Sequence, residues 1–308
     1  MLAGAASGSM VLASAAWASD EPARTVGVGR DGSFLIGLNT STIRGQKLSI
    51  VEEIAIASKA GFRGMEPWID ELRRYADGGG SLEDLARRFR DAGIRVESAI
   101  DFFEWASDDE GRRKKALEAA RKSMGILQKI GGVRLAAPPV GATDHAIDPR
   151  RVAERYRVLL ELGDEIGVVP QAEVWGFSKT LGRLGEAAQV AIETGHPRAC
   201  ILPDVFHLYK GGSPLEGIRL LGPAAIHVFH VNDYPAQPPR EKLTDADRIY
   251  PGDGAAPYKS LLRDLRAGGF QVMLSLELFN RQLWSQDPQA VAARGFEKVK
   301  ALIDASGS

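Results

Sequence analysis

The amino-acid sequence predicts an α/β fold, one single-domain (β/α)8 TIM barrel, and three observations carry that prediction. From Phe34 onward, short apolar runs alternate with longer stretches of helical periodicity; the alternation amounts to eight strand-helix pairs; and no shift in composition marks a second domain within the 308 residues. Strict alternation requires parallel strands joined by right-handed crossovers, and eight such units suit a closed barrel. An open doubly wound sheet is the structural alternative, but no G-x-G-x-x-G follows any early strand, so the dinucleotide fingerprint is not there. The barrel is expected over residues 30–305.

Each strand is read from a short apolar run bounded by turn residues, the pattern of a parallel sheet covered on both faces. In order the runs are FLIGL, GMEPW, RVESAI, VRLAA, VVPQAEV, ACILPDV, IHVFHV and QVMLSLEL. Helices are expected over about 48–60, 82–92, 109–130, 180–194, 214–221 and 258–267. Ser81 with Asp84, and Ser107 with Glu110, have the spacing of capping boxes. Asp148-Pro149 and Asp287-Pro288 each set a cap residue before a proline in the first helical position and open two further helices. After IHVFHV comes a long Pro-rich, charged loop closing in Pro251-Gly252-Asp253-Gly254, and loops of that length are usually functional or disordered.

Composition narrows the function. At 44% hydrophobic and 26% charged residues the chain reads as an ordinary globular protein. Its 39 Lys plus Arg against 40 Asp plus Glu give a net charge of -1 and no global field for a polyanion, so nucleic acid is not expected as a partner. The single cysteine, Cys200, rules out an intrachain disulfide and a thiolate metal cluster, and its apolar setting predicts a core position. Residues 1–23 carry no Lys or Arg and run through an apolar MVLASAAWA to Ala16-Trp17-Ala18, like the core and cleavage site of a secretory signal without its basic start. Cleavage near Ser19 and a periplasmic or secreted location are expected, a disordered Ala-rich tail on a cytoplasmic protein being the alternative. No stretch approaches the ~18 consecutive apolar residues of a spanning helix, so a membrane-embedded protein is not expected.

Polar residues interrupt the apolar runs at one kind of place. Glu173 in QAEVWGF, Asp204 in LPDVFHLYKGG, His230 in VFHVNDY and Glu277 in LSLELFN stand at the ends of the last four strands, which in a barrel is the mouth where active sites form. Charges embedded in apolar sequence need a shared partner. Three carboxylates and an imidazole suit one divalent cation such as Mn²⁺, Co²⁺, Zn²⁺ or Mg²⁺, with independent ion pairs as the alternative. His227, an odd step from His230, is expected to face the helices, and His145 and His196 to lie at the surface. Glu66, ending GMEPW, is a candidate substrate contact. Asn39, Trp68, Phe103, Trp105, Trp175 and Phe279 are candidates for the mouth wall, and Arg112 to Lys115 for a solvated helix face.

Taken together, QAEVWG, PDVFHLYKGG, FHVNDY, DRIYPGDG and LSLELF resemble the sugar phosphate isomerase/epimerase superfamily with the xylose-isomerase-like barrel, nearest to inosose isomerases and ketose epimerases. The resemblance runs from about Gly37 to Ile303. It implies a metal held by Glu173, Asp204, His230 and Glu277, with His207 and Arg248 touching substrate oxygens. It also implies an enediolate mechanism in which Glu173 and Glu277 serve as two bases and the metal as a Lewis acid.

The activity expected is therefore isomerisation or epimerisation of a small keto-sugar, keto-glycoside or inosose. A lyase or dehydratase is the nearest alternative, because an enediolate can instead expel a β-oxygen. An AP-endonuclease-like nuclease would need more than the five histidines present and a basic face. A non-catalytic sugar-binding protein would not require two potential bases. The partner expected is a small carbohydrate, with homo-oligomerisation left open.

Overall fold

Strands and helices alternate through the computed structural model, which describes residues 34–307; the expected leader lies outside the described residues. The strands are β1 Leu35–Asn39, β2 Gly64–Glu66, β3 Arg95–Val96, β4 Ser98–Ala99, β5 Arg134–Ala137, β6 Val169–Glu173, β7 Ile201–Leu202, β8 Val228–Val231 and β9 Met273–Leu276. β3 and β4 are two halves of one stave, parted at Glu97, so the stave count agrees with the sequence reading. All ladders are parallel, in the orders β3-β2-β1-β9-β8 and β4-β5-β6-β7. Parallel bridges Ile201↔Ile226 and Asp204↔His230 join β7 to β8, and Trp68↔Ile100 joins the second stave to the third, closing the barrel.

Period-two alternation sorts the side chains into two layers. Leu35, Ile100, Ala136, Leu202, Val228 and Met273 form a small inner cluster, while Leu38, Met65, Phe229 and Leu274 join the larger core under the helices. Met273 crosses the lumen so closely that a Cβ on Gly37 or Gly64 would stand 2.5 Å from its sulfur, which fixes glycine on two adjoining staves. The inward positions above this floor carry Asn39, Glu66, Glu173, His230 and Glu277.

The outer ring comprises α1 Ile50–Ala60, α2 Ile69–Asp77, α3 Leu82–Asp91, α4 Glu110–Lys129, α5 Pro149–Ile166, α6 Leu184–Glu193, α7 Val205–Lys210, α8 Tyr258–Ala267 and α9 Pro288–Ala305. Ser49 and Glu52 close a full capping box on α1, and Asp148 and Asp287 cap helices that begin with proline. Three expectations are corrected. Asp109, not Ser107, caps α4, accepting from Arg112 N at 2.7 Å while Ser107 Oγ accepts from Asp109 N. The helix expected from residue 180 begins at Leu184, because Thr180 Oγ1 is tied to the backbone of His145 and Ile147 and Leu181 is left-handed at φ 57°. The helix expected over 214–221 is a 3-10 turn, Leu215–Leu220. The short helices α2 and α7 are additions the periodicity did not resolve. Cys200 is buried, and burial pushes its thiol up to about 11. Among the described residues no helix is long and apolar enough to cross a membrane.

Candidate metal and substrate site

Glu66 and Glu173 end β2 and β6, His230 lies in β8, Glu277 follows β9, and Asp204 follows β7 as the N-cap of α7. The barrel brings these five together. His230 is fully buried at the centre, and its Nε2 donates to Glu66 Oε2 at 2.9 Å. That hydrogen bond leaves Nδ1 as the ring nitrogen that faces the cluster. Nδ1 stands 3.2 Å from Glu277 Oε2 and 3.7 Å from both Asp204 Oδ2 and Glu173 Oε1, and it has no hydrogen-bond partner. A lone pair facing three carboxylates is repulsive unless a cation or a proton lies between them. Asp204, His230 and Glu277 can each offer a ligand atom within 4.8 Å of the others. With Glu173 beside them, this donor set fits a divalent metal of intermediate hardness.

The electrostatics point the same way. Burial pushes the Glu173 carboxyl up to about 8; Glu277, Asp204 and Glu66 add to the rise and His230 opposes it. Burial alone would lower the basicity of His230, but Glu277 and Glu66 raise it well above the ordinary value. Burial would raise Asp204, yet Arg248, His207 and His230 hold it at about 2. The cluster is acid-rich and demands positive charge.

Glu66 is placed behind the site and not on its wall. It is fully buried, and besides His230 its Oε2 accepts from Asn39 Nδ2 at 3.0 Å and Ser275 Oγ at 2.8 Å. Asn39 Nδ2 also donates to Glu277 Oε1 at 3.1 Å, and Asn39 Oδ1 accepts from the Trp68 indole at 3.2 Å. Glu66, the candidate substrate contact, is thus placed behind the imidazole and bonded to it.

Arg248 is buried, and its guanidinium lies between the rings of Phe206 and Phe279, at 4.9 and 5.1 Å. Its Nη1 donates to Asp204 Oδ2 at 2.8 Å and Glu277 Oε2 at 2.7 Å; its Nη2 to Asp245 Oδ1 at 2.7 Å and His207 Nε2 at 3.1 Å; its Nε to Asp245 Oδ1 at 3.1 Å. A guanidinium has five N–H bonds, and all are engaged. Arg248 borders the pocket, and its donors are engaged by the cluster's carboxylates, Asp245 and His207. Because Arg248 donates to His207 Nε2, the His207 proton sits on Nδ1, which is buried and unpartnered. Burial, with Arg248 beside it, lowers the basicity of His207, while Asp204, Asp245 and Glu277 oppose the fall.

Beside the cluster opens a cavity of about 220 Å³. Glu173, Glu277, His207, Asp245 and Arg248 form its polar side, and Trp68, Phe102, Trp175, Phe177 and Phe279 its aromatic side. Three of the expected wall residues, Trp68, Trp175 and Phe279, are on that wall. Phe103 and Trp105 are core residues instead, Trp105 donating to Pro138 O at 2.6 Å and packing on Tyr156. Sequence reasoning missed Phe102, Phe177 and Asp245; the one signal was their position shortly after strands, or within the long loop. Asp233, two residues after β8, anchors the long loop: its carboxylate accepts from the backbone of Tyr234, Gly252, Gly254 and Ala256. His227 lies outside the cluster, where burial, with Arg134 nearby, lowers its imidazole to about 4, while His145 and His196 pair with Asp108 and Asp164.

The comparisons with known proteins agree with this geometry. A family model described as "Xylose isomerase-like TIM barrel" matches residues 54–302. The inosose isomerase of Bacillus velezensis is 24% identical over 262 residues, which cover 83% of this chain and 92% of that protein. A 3-dehydroshikimate dehydratase of Pseudomonas putida is 24% identical over 256 residues, covering 82% of this chain and 40% of that protein. Among solved structures, the IolI protein, described with a binding zinc atom, matches with a TM-score of 0.81 at 20% identity, covering 89% of this chain and 99% of that one.

Proposed function

Because the chain belongs to the xylose isomerase-like TIM barrel family, we propose that it is a metal-dependent isomerase or epimerase of a small keto-sugar, keto-glycoside or inosose. The observation that carries this reading is that Glu173 and Glu277, on separate staves, both border the cavity and both face His230 Nδ1. A Zn²⁺, Mn²⁺, Co²⁺ or Mg²⁺ ion held by Glu173, Asp204, His230 and Glu277 would supply Lewis-acid polarisation of a carbonyl and its neighbouring hydroxyl.

The chain supplies the rest. One of the two glutamates takes the proton from the carbon beside the carbonyl and the other returns one, to the neighbouring carbon or to the opposite face. The Nδ1–H of His207 donates to a substrate oxygen that gains charge. Glu66 and Arg248 fix the imidazole and the carboxylates in place, and the aromatic side packs on the C–H face of the sugar and excludes water. The resemblance to the dehydratase leaves a second outcome of the same proton abstraction, in which a β-oxygen departs as water.

The test is a screen of keto-sugars and inososes in D₂O, with metal added and then removed by chelation. Deuterium should enter one carbon only when metal is present; a product that differs from the substrate in mass only by that deuterium would mark the isomerase, and loss of one water the dehydratase. Absence of metal-dependent exchange across the panel would overturn the reading. The Ala-rich segment before Ser19 fits export, which intact-mass analysis of protein from the native host would check.

A further inference from the structure

We propose that the site takes an uncharged keto-glycoside whose apolar aglycone lies on Phe102, Trp175 and Phe177, and that it excludes phosphorylated and carboxylate substrates. The inference rests on the isomerase reading and narrows its substrate.

Charge carries the exclusion. Arg248 is the cation among the described residues on the cavity wall, and all five of its N–H bonds are taken by Asp204, Glu277, Asp245 and His207. Glu173, Asp245 and Glu277 share that wall with Arg248, so an entering anion meets carboxyl oxygens and a guanidinium whose donors are already engaged. A phosphate or carboxylate entering the site would be desolvated against carboxylates with no free donor cation, which is strongly unfavourable.

Aromatic exposure carries the second half. Phe102 and Phe177 are 45% and 50% exposed, large apolar side chains left open at the cavity. They continue the wall instead of standing alone: Trp175 lies 6.0 Å from the Phe102 ring and 5.2 Å from the Phe177 ring. Three rings in contact, tilted by 44° and 34° to their neighbours, form an open apolar trough for an apolar group attached to the sugar. A free ketose would leave that trough in water.

The experiment uses the full chain loaded with Mn²⁺ and reads tryptophan fluorescence, Trp68 and Trp175 being in the wall. The probes are phenyl β-D-glucopyranoside, methyl β-D-glucopyranoside and glucose 6-phosphate. Phenyl glucoside should bind about tenfold more tightly than methyl glucoside, and glucose 6-phosphate no better than methyl glucoside. Phe102→Ala and Phe177→Ala should cut the phenyl preference to about threefold or less, and Phe177→Tyr should retain it. Equal binding of phenyl and methyl glucosides, no binding of any probe, or tighter binding of the phosphate would overturn the proposal. So would a change of assembly state in Phe177→Ala with the preference intact, which would assign the exposed ring to a second copy of the chain. Metal-dependent deuterium exchange without a phenyl preference defeats this inference and spares the isomerase; a phenyl preference without exchange does the reverse.

Discussion

Glu66 and His230 are both fully buried, 164 residues apart in sequence, and joined by a 2.9 Å hydrogen bond from Nε2 to Oε2. That bond determines which nitrogen of His230 remains to meet the carboxylates of Glu173, Asp204 and Glu277. It also couples the second stave of the barrel to the seventh, and Asn39 and Ser275 hold the same Oε2 from the first stave and the last. The imidazole has one orientation because four staves agree on it.

Replacing Glu66 by Gln keeps an oxygen able to accept these donors but removes the charge opposite Nε2–H. A partner of this kind raises ligand basicity and orients the ring, and its loss typically costs about 10–100-fold in metal affinity. Glu66→Gln should therefore bind metal about tenfold more weakly or worse while unfolding at nearly the parent temperature. Competition against a chelating dye measures it, and an unchanged metal affinity would remove the orienting role.

Asp233 organises the loop that carries Arg248. Its two oxygens accept four backbone N–H bonds at 2.8–3.1 Å, from Tyr234, Gly252, Gly254 and Ala256. The fit leaves no room for a side chain at Gly254, where a Cβ would stand 2.3 Å from Tyr234 O. Asp233→Ala strands these donors, at roughly 1–3 kcal/mol for each that solvent does not reach. A fall of several degrees in Tm and a loss of turnover are expected together, because Arg248 loses its seat between Asp204 and Glu277. A loop indifferent to this change in both calorimetry and activity would contradict the anchor.

Glu53, in the first turn of α1, gives the molecule a pH dependence outside the cluster around His230. It is buried, one oxygen has no partner, and burial pushes its carboxyl up to about 9; Glu71 and Asp70 add to the rise while Arg44 and Arg74 oppose it. The folded value lies above the unfolded one. The folded chain therefore keeps a proton that the unfolded chain has released, and the stability this gives is complete below about 4.5 and erodes as pH rises toward about 9. Glu53→Gln mimics the protonated group. Its stability should diverge from the parent with rising pH, becoming the greater by about 1 kcal/mol or more at pH 9. Denaturant melts at pH 5, 7 and 9 test the sign, and a gap that narrows with pH would be the wrong one.

The staves were legible because an apolar run leaves a period-two trace in a handful of residues, and Tyr258–Ala267 because its apolar stripe spans several turns. Asp204, His230 and Glu277 were visible because each interrupts an apolar run, and the fold brings them within ligand range of one another. What the sequence could not carry were relations between staves. The role of Glu66 depends on a partner on another stave, the engagement of Arg248 on four partners scattered from Asp204 to Glu277, and the wall formed by Phe102 and Phe177 on loops that no periodicity marks. The six-residue α7 was hidden for another reason: Asp204 both ends a stave and caps that helix, accepting from His207 N at 2.7 Å, so its first turn merges with the strand signal.

The proposed pair of bases can be separated from the metal they are proposed to hold. Glu173 and Glu277 each face His230 Nδ1, so loss of either could act by loss of metal alone. Substitution by Gln preserves size and one coordinating oxygen, and metal content is measured before turnover. General base catalysis typically contributes ~10²–10⁴-fold, so Glu173→Gln and Glu277→Gln should each lose at least ~10²-fold in kcat with metal restored. If the reaction is an epimerisation, the two carboxylates act on opposite faces of one carbon. One variant should then still exchange that carbon's proton with D₂O from its intact face while failing to invert it, a split that a purely structural defect would not produce. Rapid turnover by both metal-loaded variants would exclude these bases, leaving His207, with its buried Nδ1 beside the cavity, to move the proton.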